Sequence, residues 1–347
     1  HVLRTKERRF PYQTNNKLNL DQLLLEAVER KDEFEAEDLH KITFFQYLIS
    51  IFDFETATFM KDAFGYDSEF VDLNADAALE MFHQDLFSEN TYSVLGGGLS
   101  QIIEKLVSRL EKKENVTMYK NCDLETMDDK TITIPQGKFF YKKLICAIPP
   151  SALKQIDYFK DNDNLSSVKP IPLLRIYAKY PVKNDRVWFQ DIKRTTTDNY
   201  LRHVIPIDYQ SGLIMISYVD GHYVSMWEQL YSCGEETLVK HLHKEISDLF
   251  KIPEPPEPEF VKFHLWNEGL HVWKPGYKMD DVYDDIIQPD KDVPIFICGE
   301  GFSKKQGWIE GCLETCYDVI NQLQFPKIKM IVKQSSDKKQ SSDKKQS

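Results

Sequence analysis

With 347 residues, 41% of them hydrophobic, the chain is long enough to bury a large core in one or two domains, which excludes a mini-protein. Its 44 basic and 55 acidic residues give a formal net charge of −11, which argues against nucleic acid as a general partner and mildly favours cationic small molecules such as amines. Six cysteines without a C-x-x-C pair predict an intracellular, cytoplasmic protein with no disulfide framework and no metal site.

The first part of the chain is predicted to be helical after an irregular lead-in over residues 1–20. Apolar residues recur at helical spacing from Asp21, and Gly65 is a typical helix stop. The longest apolar run, residues 42–52, is too short to cross a bilayer, so we expect no membrane span.

Three glycines, Gly96 to Gly98, follow a candidate strand and precede an amphipathic helix. With Asp123 downstream, this spacing is similar to that of a dinucleotide-binding turn. The third glycine position of that motif holds Gln101, whose side chain would keep the helix away from the strand. We therefore favour a simple turn, with a dinucleotide site as the alternative.

The middle of the chain is predicted to contain short strands. Their ranges are 115–119, 130–134, 139–148, 173–180, 186–189, 200–205 and 212–219. Because Pro149 and Pro150 cannot continue a ladder, Ala147 to Pro149 should lie at a sheet edge. Residues 235–249 form a predicted helix, on which His241 and His243 face different ways and so make no metal site.

The stretch from Ile295 to Ile320 is where we expect the chemistry. A β-branched and aromatic run from Pro294 to Cys298 stops at Gly299-Glu300-Gly301, and a helix is predicted from Gly307. Glycines let backbone N–H groups approach a flat or anionic ligand, and a helix N-terminus adds positive dipole there. The unit predicts a dinucleotide or flavin site, although such units also serve simply to turn the chain.

The residue order in this stretch resembles the closing signature of the flavin-containing amine oxidase family, G-E-x-x-S-x-x-x-G-[WY]-[IVM]-E-G-[AC]. It stands here as Gly299-Glu300, Ser303 and Gly307 to Cys312. Two further stretches resemble the family in the same order, LICAIPPSAL before residue 154 and the tryptophan, glycine and Pro-Gly pair between Trp266 and Gly276. The resemblance covers roughly residues 40–325.

This resemblance implies an α/β fold that combines an incomplete Rossmann-type FAD-binding domain with a substrate domain of antiparallel sheet and helices. The two domains would alternate along the chain. The implied segments are a helical substrate-domain part (1–92), an FAD-domain segment (93–152), the substrate-domain sheet and helix (153–262), a C-terminal FAD-domain segment (263–325) and a disordered tail (326–347).

The resemblance also implies which residues form the site. The implied cofactor-binding residues are Cys122, Ala147, Pro149, Trp266, Gly299, Glu300, Gly307, Trp308 and Ile309. The catalytic candidates are Arg175, Trp308 and His271. Trp308 and His271 would form walls of the substrate cage. Arg175 replaces a lysine that holds a water at the flavin in many members, and its planar fork could not place that water in the same way. Each of these two residues also has a non-catalytic interpretation. Arg175 would be a strand arginine paired with a surface acid, and His271 would be an ordinary core or surface histidine.

The implied activity is FAD-dependent oxidation of a small-molecule amine to an imine, with dioxygen as electron acceptor and release of hydrogen peroxide. The family's N-terminal G-x-G-x-x-G turn, which holds the FAD pyrophosphate, does not occur in this sequence. Two interpretations remain open: a fragment completed by a missing N-terminal segment or a partner chain, or a catalytically inactive oxidase-like scaffold. An amino-acid oxidase would need a cation for its substrate's carboxylate, and Arg175 and Arg202 are the candidates.

Overall fold

A computed structural model describes residues 19–87 and 95–323, in which helices and strands are mixed as the predicted α/β class requires. The helices are α1 (Leu20–Glu29), α2 (Ala36–Leu39), α3 (Phe44–Ile51), α4 (Phe54–Phe64), α5 (Ser68–Val71), α6 (Ala75–Phe87), α7 (Ser100–Leu110), α8 (Pro150–Lys154), α9 (His222–Ser232), α10 (Glu235–Phe250), α11 (Met279–Ile287) and α12 (Ile309–Gln322). The strands are β1 (Thr126–Met127), β2 (Thr131–Ile134), β3 (Gly137–Phe140), β4 (Leu144–Cys146), β5 (Val168–Lys179), β6 (Thr195–Thr196), β7 (His203–Asp208), β8 (Leu213–Asp220), β9 (Phe260–Trp273) and β10 (Ile295–Ile297).

Several predictions fall outside the described residues. They are the lead-in before Asn19, the boundary between the first two predicted segments at residue 92, the strand before the glycine run up to residue 94, and the C-terminal tail. Within the two described ranges, no helix is long and apolar enough to cross a membrane.

Helices α1 to α6 form a block around a shared core. Capping boxes begin two of them, Asn19 with Gln22 at α1 and Thr43 with Gln46 at α3, so the first free N–H groups of each helix have partners. Gly65 ends α4 with φ +94°, as predicted. A Cβ at this position would lie 2.5 Å from the ring of His203, so the glycine also lets the block pack against β7.

A five-stranded antiparallel sheet in the order β6-β7-β8-β5-β9 forms the centre of the molecule. Side chains alternate along β5 because successive strand residues point to opposite faces. Leu174 and Ile176 pack with Trp227 of α9 and Leu242 of α10 in one buried cluster. Arg175 therefore points to the opposite face, which α9 and α10 leave open.

Two predicted strands are wrong. Residues 115–119 form no strand, and at 186–189 the chain turns instead of extending. Asn184 and Asp185 adopt left-handed backbone angles, φ 52° and 57°, and turn the chain sharply. Val187 and Phe189 are buried in the same cluster as α9 and α10 without joining a ladder. An apolar run that lies in a turn but buries its side chains in the core has the same sequence pattern as a short strand. This similarity explains the error.

The predicted strand at 139–148 is two strands. β3 belongs to a small antiparallel sheet with β1 and β2, and β4 pairs in parallel with β10, with Leu144 opposite Ile295 and Cys146 opposite Ile297. Because Leu144 and Cys146 hydrogen-bond to the β10 side, the N–H and C=O of Ile145 face the outer edge of β4. Within the described residues no strand pairs with that edge.

Strand β9 connects the two sheet regions. Its first half pairs with the end of β5, its second half pairs with the beginning of β5, and the register shifts between them. At this irregularity a Cβ on Gly269 would lie 2.4 Å from Cγ of Leu173. Only glycine lets β5 and β9 approach this closely. As a result, β9 stays paired with β5 along its length while its end reaches the segment that follows β10.

Candidate functional site

Residues 298–309, here called the hinge segment, carry two glycines that border open space. Gly299 has φ +138° and Gly307 has φ +78°. An added Cβ at Gly299 would meet no atom within 4 Å, and one at Gly307 would meet only Leu270, at 3.9 Å. By contrast, a Cβ at Gly301 would lie 2.5 Å from Cγ of Pro150. Gly299 and Gly307 therefore present bare backbone to a space that a ligand can fill.

The carboxylate of Glu300 ties the hinge segment to β9. Its Oε1 accepts hydrogen bonds from the backbone N–H groups of His271, at 3.0 Å, and Gly307, at 2.6 Å. Its Oε2 lies 2.8 Å from Nδ1 of His271. Both oxygens are thus used inside the protein, and the predicted contact of Glu300 with a cofactor stays a prediction.

The side chain of His271 is buried. Its side chain lies between Glu300 and Glu268, whose Oε2 is 3.8 Å from Nε2. In the described part of the chain Nε2 has no hydrogen-bond partner. This geometry supports a role in holding the hinge segment, and the predicted role as a cage wall is untested.

Helix α12 begins at Ile309, two residues later than predicted, because Trp308 keeps an extended backbone as the N-cap. The Trp308 side chain does not cap the helix, so the N–H groups of its first turn point outward. Trp308 and Ile309 are 52% and 54% exposed. The helix therefore offers positive dipole and donors beside half-exposed apolar side chains, which suits a flat ligand that gains negative charge.

The carboxyl end of β4 lies beside the hinge segment, because β4 and β10 are parallel and the hinge segment follows β10. Ala147 and Pro149 are exposed there, as predicted, and the backbone N–H of Cys298 donates to the carbonyl of Cys146 at 3.1 Å. The structure thus brings Ala147, Pro149 and Gly299 to one edge. Parallel strands commonly bind ligands at this edge.

Cys122 lies between α7 and β1, where its thiol donates to the carbonyl of Lys120 at 3.3 Å. No hydrogen bond among the described residues links it to the hinge segment, so its predicted role remains a prediction. In the glycine run before α7, Nε2 of Gln101 donates to the carbonyl of Gly96 at 2.7 Å. Gln101 thus fills the turn, which favours the simple-turn interpretation.

The open face of the central sheet carries a group that we call the aromatic face: Arg175, Tyr66, Tyr218, His264 and Trp266. The Arg175 guanidinium lies 4.5 Å from the Tyr218 ring centroid and 5.6 Å from that of Trp266. His264 lies opposite Arg175 in the ladder, and its ring centroid is 3.9 Å from that of Trp266. The ring centroids of Tyr66 and Tyr218 are 5.2 Å apart. Cation–π contacts of this kind hold an arginine without neutralising it.

Two ionisable groups beside the aromatic face have strongly shifted pKa values. Burial, with the charges of Asp220 and Asp85, raises the pKa of Glu69 to about 8. Burial, with the positive charges of Arg194 and Arg202, lowers the pKa of His203 to about 3. Near neutral pH this part of the molecule therefore contains a protonated carboxyl group and an uncharged imidazole.

The family model of the flavin containing amine oxidoreductases matches residues 3–319. The chain belongs to this family. A comparison with individual curated proteins finds no match. Membership confirms the resemblance inferred from the C-terminal signature, and with it an oxidoreductase class and a flavin cofactor.

The hinge segment of this oxidoreductase fits a flavin ring. The space beside Gly299 and Gly307 is open, the first turn of α12 lacks a side-chain cap, and Trp308 offers a half-exposed flat side chain. The residues that would hold the ring are those of the hinge segment and of Ala147 to Pro149.

Sequence reasoning missed Tyr66, Tyr218 and His264. They come from three distant parts of the chain, and only the strand pairing places them around Arg175. The alternation of side chains along β5 was the available signal, since it predicts that Arg175 and Tyr177 share a face.

Proposed function

We propose that this chain is an FAD-dependent oxidoreductase that oxidises the C–N bond of an amine to an imine with dioxygen as electron acceptor. In the overall reaction the amine loses one hydrogen from its nitrogen and one from the adjacent carbon, a C=N double bond forms, and dioxygen receives both hydrogens to become hydrogen peroxide. The observation that carries the proposal is the hinge segment, whose bare glycine backbone and uncapped helix meet the end of β4 at one sheet edge. We infer a two-domain arrangement, with the hinge side binding the flavin and the central sheet binding the substrate.

Bound FAD supplies the two-electron acceptor. The N–H groups at the start of α12 would stabilise negative charge on a flavin ring held beside them, since a helix N-terminus is a fixed positive dipole that needs no reorganisation. Trp308 excludes water from the reacting carbon. Glu300 and His271 keep Gly307 at a fixed position relative to β9.

We also propose that a further strand beside β4 completes the site for the FAD phosphates, contributed by another segment of the polypeptide or by a partner chain. Support comes from the outer edge of β4, where Ile145 is 45% exposed and its backbone groups face outward. Parallel sheets are normally covered on both faces and extend over several strands, so a two-stranded parallel pair is an incomplete unit.

The test measures flavin binding and catalysis separately. Riboflavin carries the ring without phosphates, so quenching of its fluorescence reports the hinge segment alone, and FAD uptake reports the complete site. Gly307→Val should weaken riboflavin binding at least about tenfold, because the side chain enters the open space. Gly234→Val is the matched control, since Gly234 also has positive φ and open space but caps α10. Peroxide release is then measured on a panel of amines.

The second candidate function is a catalytically inactive scaffold that binds another protein. One observation favours it: α7 has no buried residue in its eleven positions, and its apolar side chains Ile102, Ile103, Leu106 and Leu110 are all exposed. An apolar face of this kind marks an interaction surface. A protein that neither quenches riboflavin nor takes up FAD would overturn the oxidase proposal in favour of the scaffold.

A further inference from the structure

Arg175 is a charged group without an opposite charge. Its Nη2 donates to the hydroxyl of Tyr218 at 3.4 Å, Tyr177 is a second hydrogen-bond partner, and the rings of Tyr218 and Trp266 lie beside the guanidinium. Within residues 19–87 and 95–323 no carboxylate pairs with it, and its Nε is buried without a hydrogen-bond partner. An arginine remains protonated at any physiological pH. The aromatic face therefore holds a permanent positive charge and an unused donor.

Arg202, the other candidate for binding an anion, is already neutralised. It is fully buried, its Nη2 lies 2.9 Å from Asp67, and its Nη1 lies 3.4 Å from Asp62. Nη1 also donates to the carbonyl of Thr197 at 2.9 Å. A ligand could reach Arg202 only by displacing these partners, so the structure distinguishes two arginines that the sequence left equivalent.

The charge on Arg175 also selects against one kind of amine. An unpaired guanidinium repels an ammonium group, so a simple amine or a polyamine meets an unfavourable potential at this face despite the acidic net charge of the chain. A carboxylate is attracted to the same point and can accept two parallel hydrogen bonds from the guanidinium fork. The surrounding rings of Tyr218, His264 and Trp266 provide apolar walls.

Resting on the proposed function, we propose that Arg175 binds the carboxylate of the substrate, which is an amino acid with an apolar or aromatic side chain. Arg175 is then a specificity-determining residue: it orients an amine that also carries an acid group and disfavours amines without one. This replaces the alternative of a strand arginine paired with a surface acid, for which the described residues provide no acid.

A binding experiment tests the inference without catalysis. Benzoate, benzamide and benzylamine present the same ring with a negative, neutral and positive substituent, and each is titrated into the full chain, with and without added FAD, while tryptophan fluorescence is followed. We expect benzoate to bind most tightly. Arg175→Met should weaken benzoate binding at least about tenfold, with Arg175→Lys between the two because it keeps the charge but not the fork.

The matched control is Arg186→Met, since Arg186 is an exposed arginine that pairs with Asp191 at the surface. Its benzoate affinity should equal that of the unchanged chain. Tighter binding of benzylamine than of benzoate, or an unchanged benzoate affinity in Arg175→Met, would overturn the inference.

Turnover separates this inference from the proposed function. Phenylalanine and phenethylamine differ only by the carboxylate, so the ratio of their kcat/KM values measures its contribution. The ratio should favour phenylalanine and fall at least about tenfold in Arg175→Met. Oxidation of phenethylamine alone would overturn the inference and leave the oxidase proposal standing. Benzoate binding through Arg175 in a protein that oxidises neither compound would support the anion site and count against the oxidase.

Discussion

The central sheet and the parallel pair β4–β10 differ in how much of their surface and edges other elements cover. The five-stranded sheet has one face packed on α9 and α10 and the other face lined by the aromatic face. The parallel pair has an outer edge at Ile145 that no described strand covers. The difference teaches that the described residues pack one face of the central sheet fully, whereas they leave the parallel pair with an unpaired outer edge.

The largest expected effect concerns the contact between the central sheet and the block of helices α1 to α6. Arg202→Met should destabilise the chain by about 4 kcal/mol, because it leaves Asp62 and Asp67 as buried charges with less compensation. Urea unfolding followed by circular dichroism measures it. Arg186→Met removes an exposed pair and should cost under about 0.5 kcal/mol. Equal small losses would show that the Arg202 cluster does not join the helical block to the sheet.

The next effect is a pH dependence at Glu69. Its pKa is raised from 4.5 to about 8, so the folded chain holds a proton that the unfolded chain releases. Stability should therefore fall as pH rises between about 4.5 and 8, by about 3 kcal/mol once the half-buried position of the Glu69 side chain is allowed for. Glu69→Gln should flatten this part of the stability curve. An unchanged curve in the variant would assign the pH dependence to other groups.

A smaller effect is expected at the hinge segment. Glu300→Gln keeps the shape of the side chain but loses the charged acceptor shared by His271 and Gly307, so we expect a loss of about 1–2 kcal/mol in stability. Riboflavin affinity should fall as well. The control is Glu245→Gln, whose Oε2 accepts a hydrogen bond from Asn199 at 3.2 Å away from the hinge segment. If both variants bind riboflavin equally, Glu300 does not position the hinge segment.

The smallest effect concerns α7. Ile103→Lys should change stability by less than about 0.5 kcal/mol, because Ile103 is 62% exposed. Leu242→Lys on α10 places the same charge in the buried cluster and should cost several-fold more. Urea midpoints compare the two variants. A large loss with Ile103→Lys would show that α7 is covered in the native protein, and the contrast between the two regions would then disappear.

Local patterns predicted the parts of the structure that depend on neighbouring residues. The stop at Gly65, the helix over residues 235–249 and the strand–glycine–helix order around Gly299 follow from caps, periodicity and residue order, and the structure confirms them. The family followed from the same C-terminal order.

Features that depend on remote partners were not predictable in this way. The run at 186–189 is buried by a turn, and the run at 139–148 divides because its two halves pair with different sheets. The difference between Arg175 and Arg202 was also invisible, since it depends on carboxylates from α4 and from the loop after it. Sequence spacing cannot reveal which arginine has such neighbours.

The register shift in β9 constrains how this protein can be recombined. Trp266 lies on one side of Gly269 and His271 on the other, so a single strand carries a wall of the aromatic face and the anchor of Glu300. A chimera that joins the front of one homologue to the back of another should therefore place its crossover in a loop outside β9. A crossover within this strand would combine the aromatic face of one homologue with the Glu300 anchor of the other.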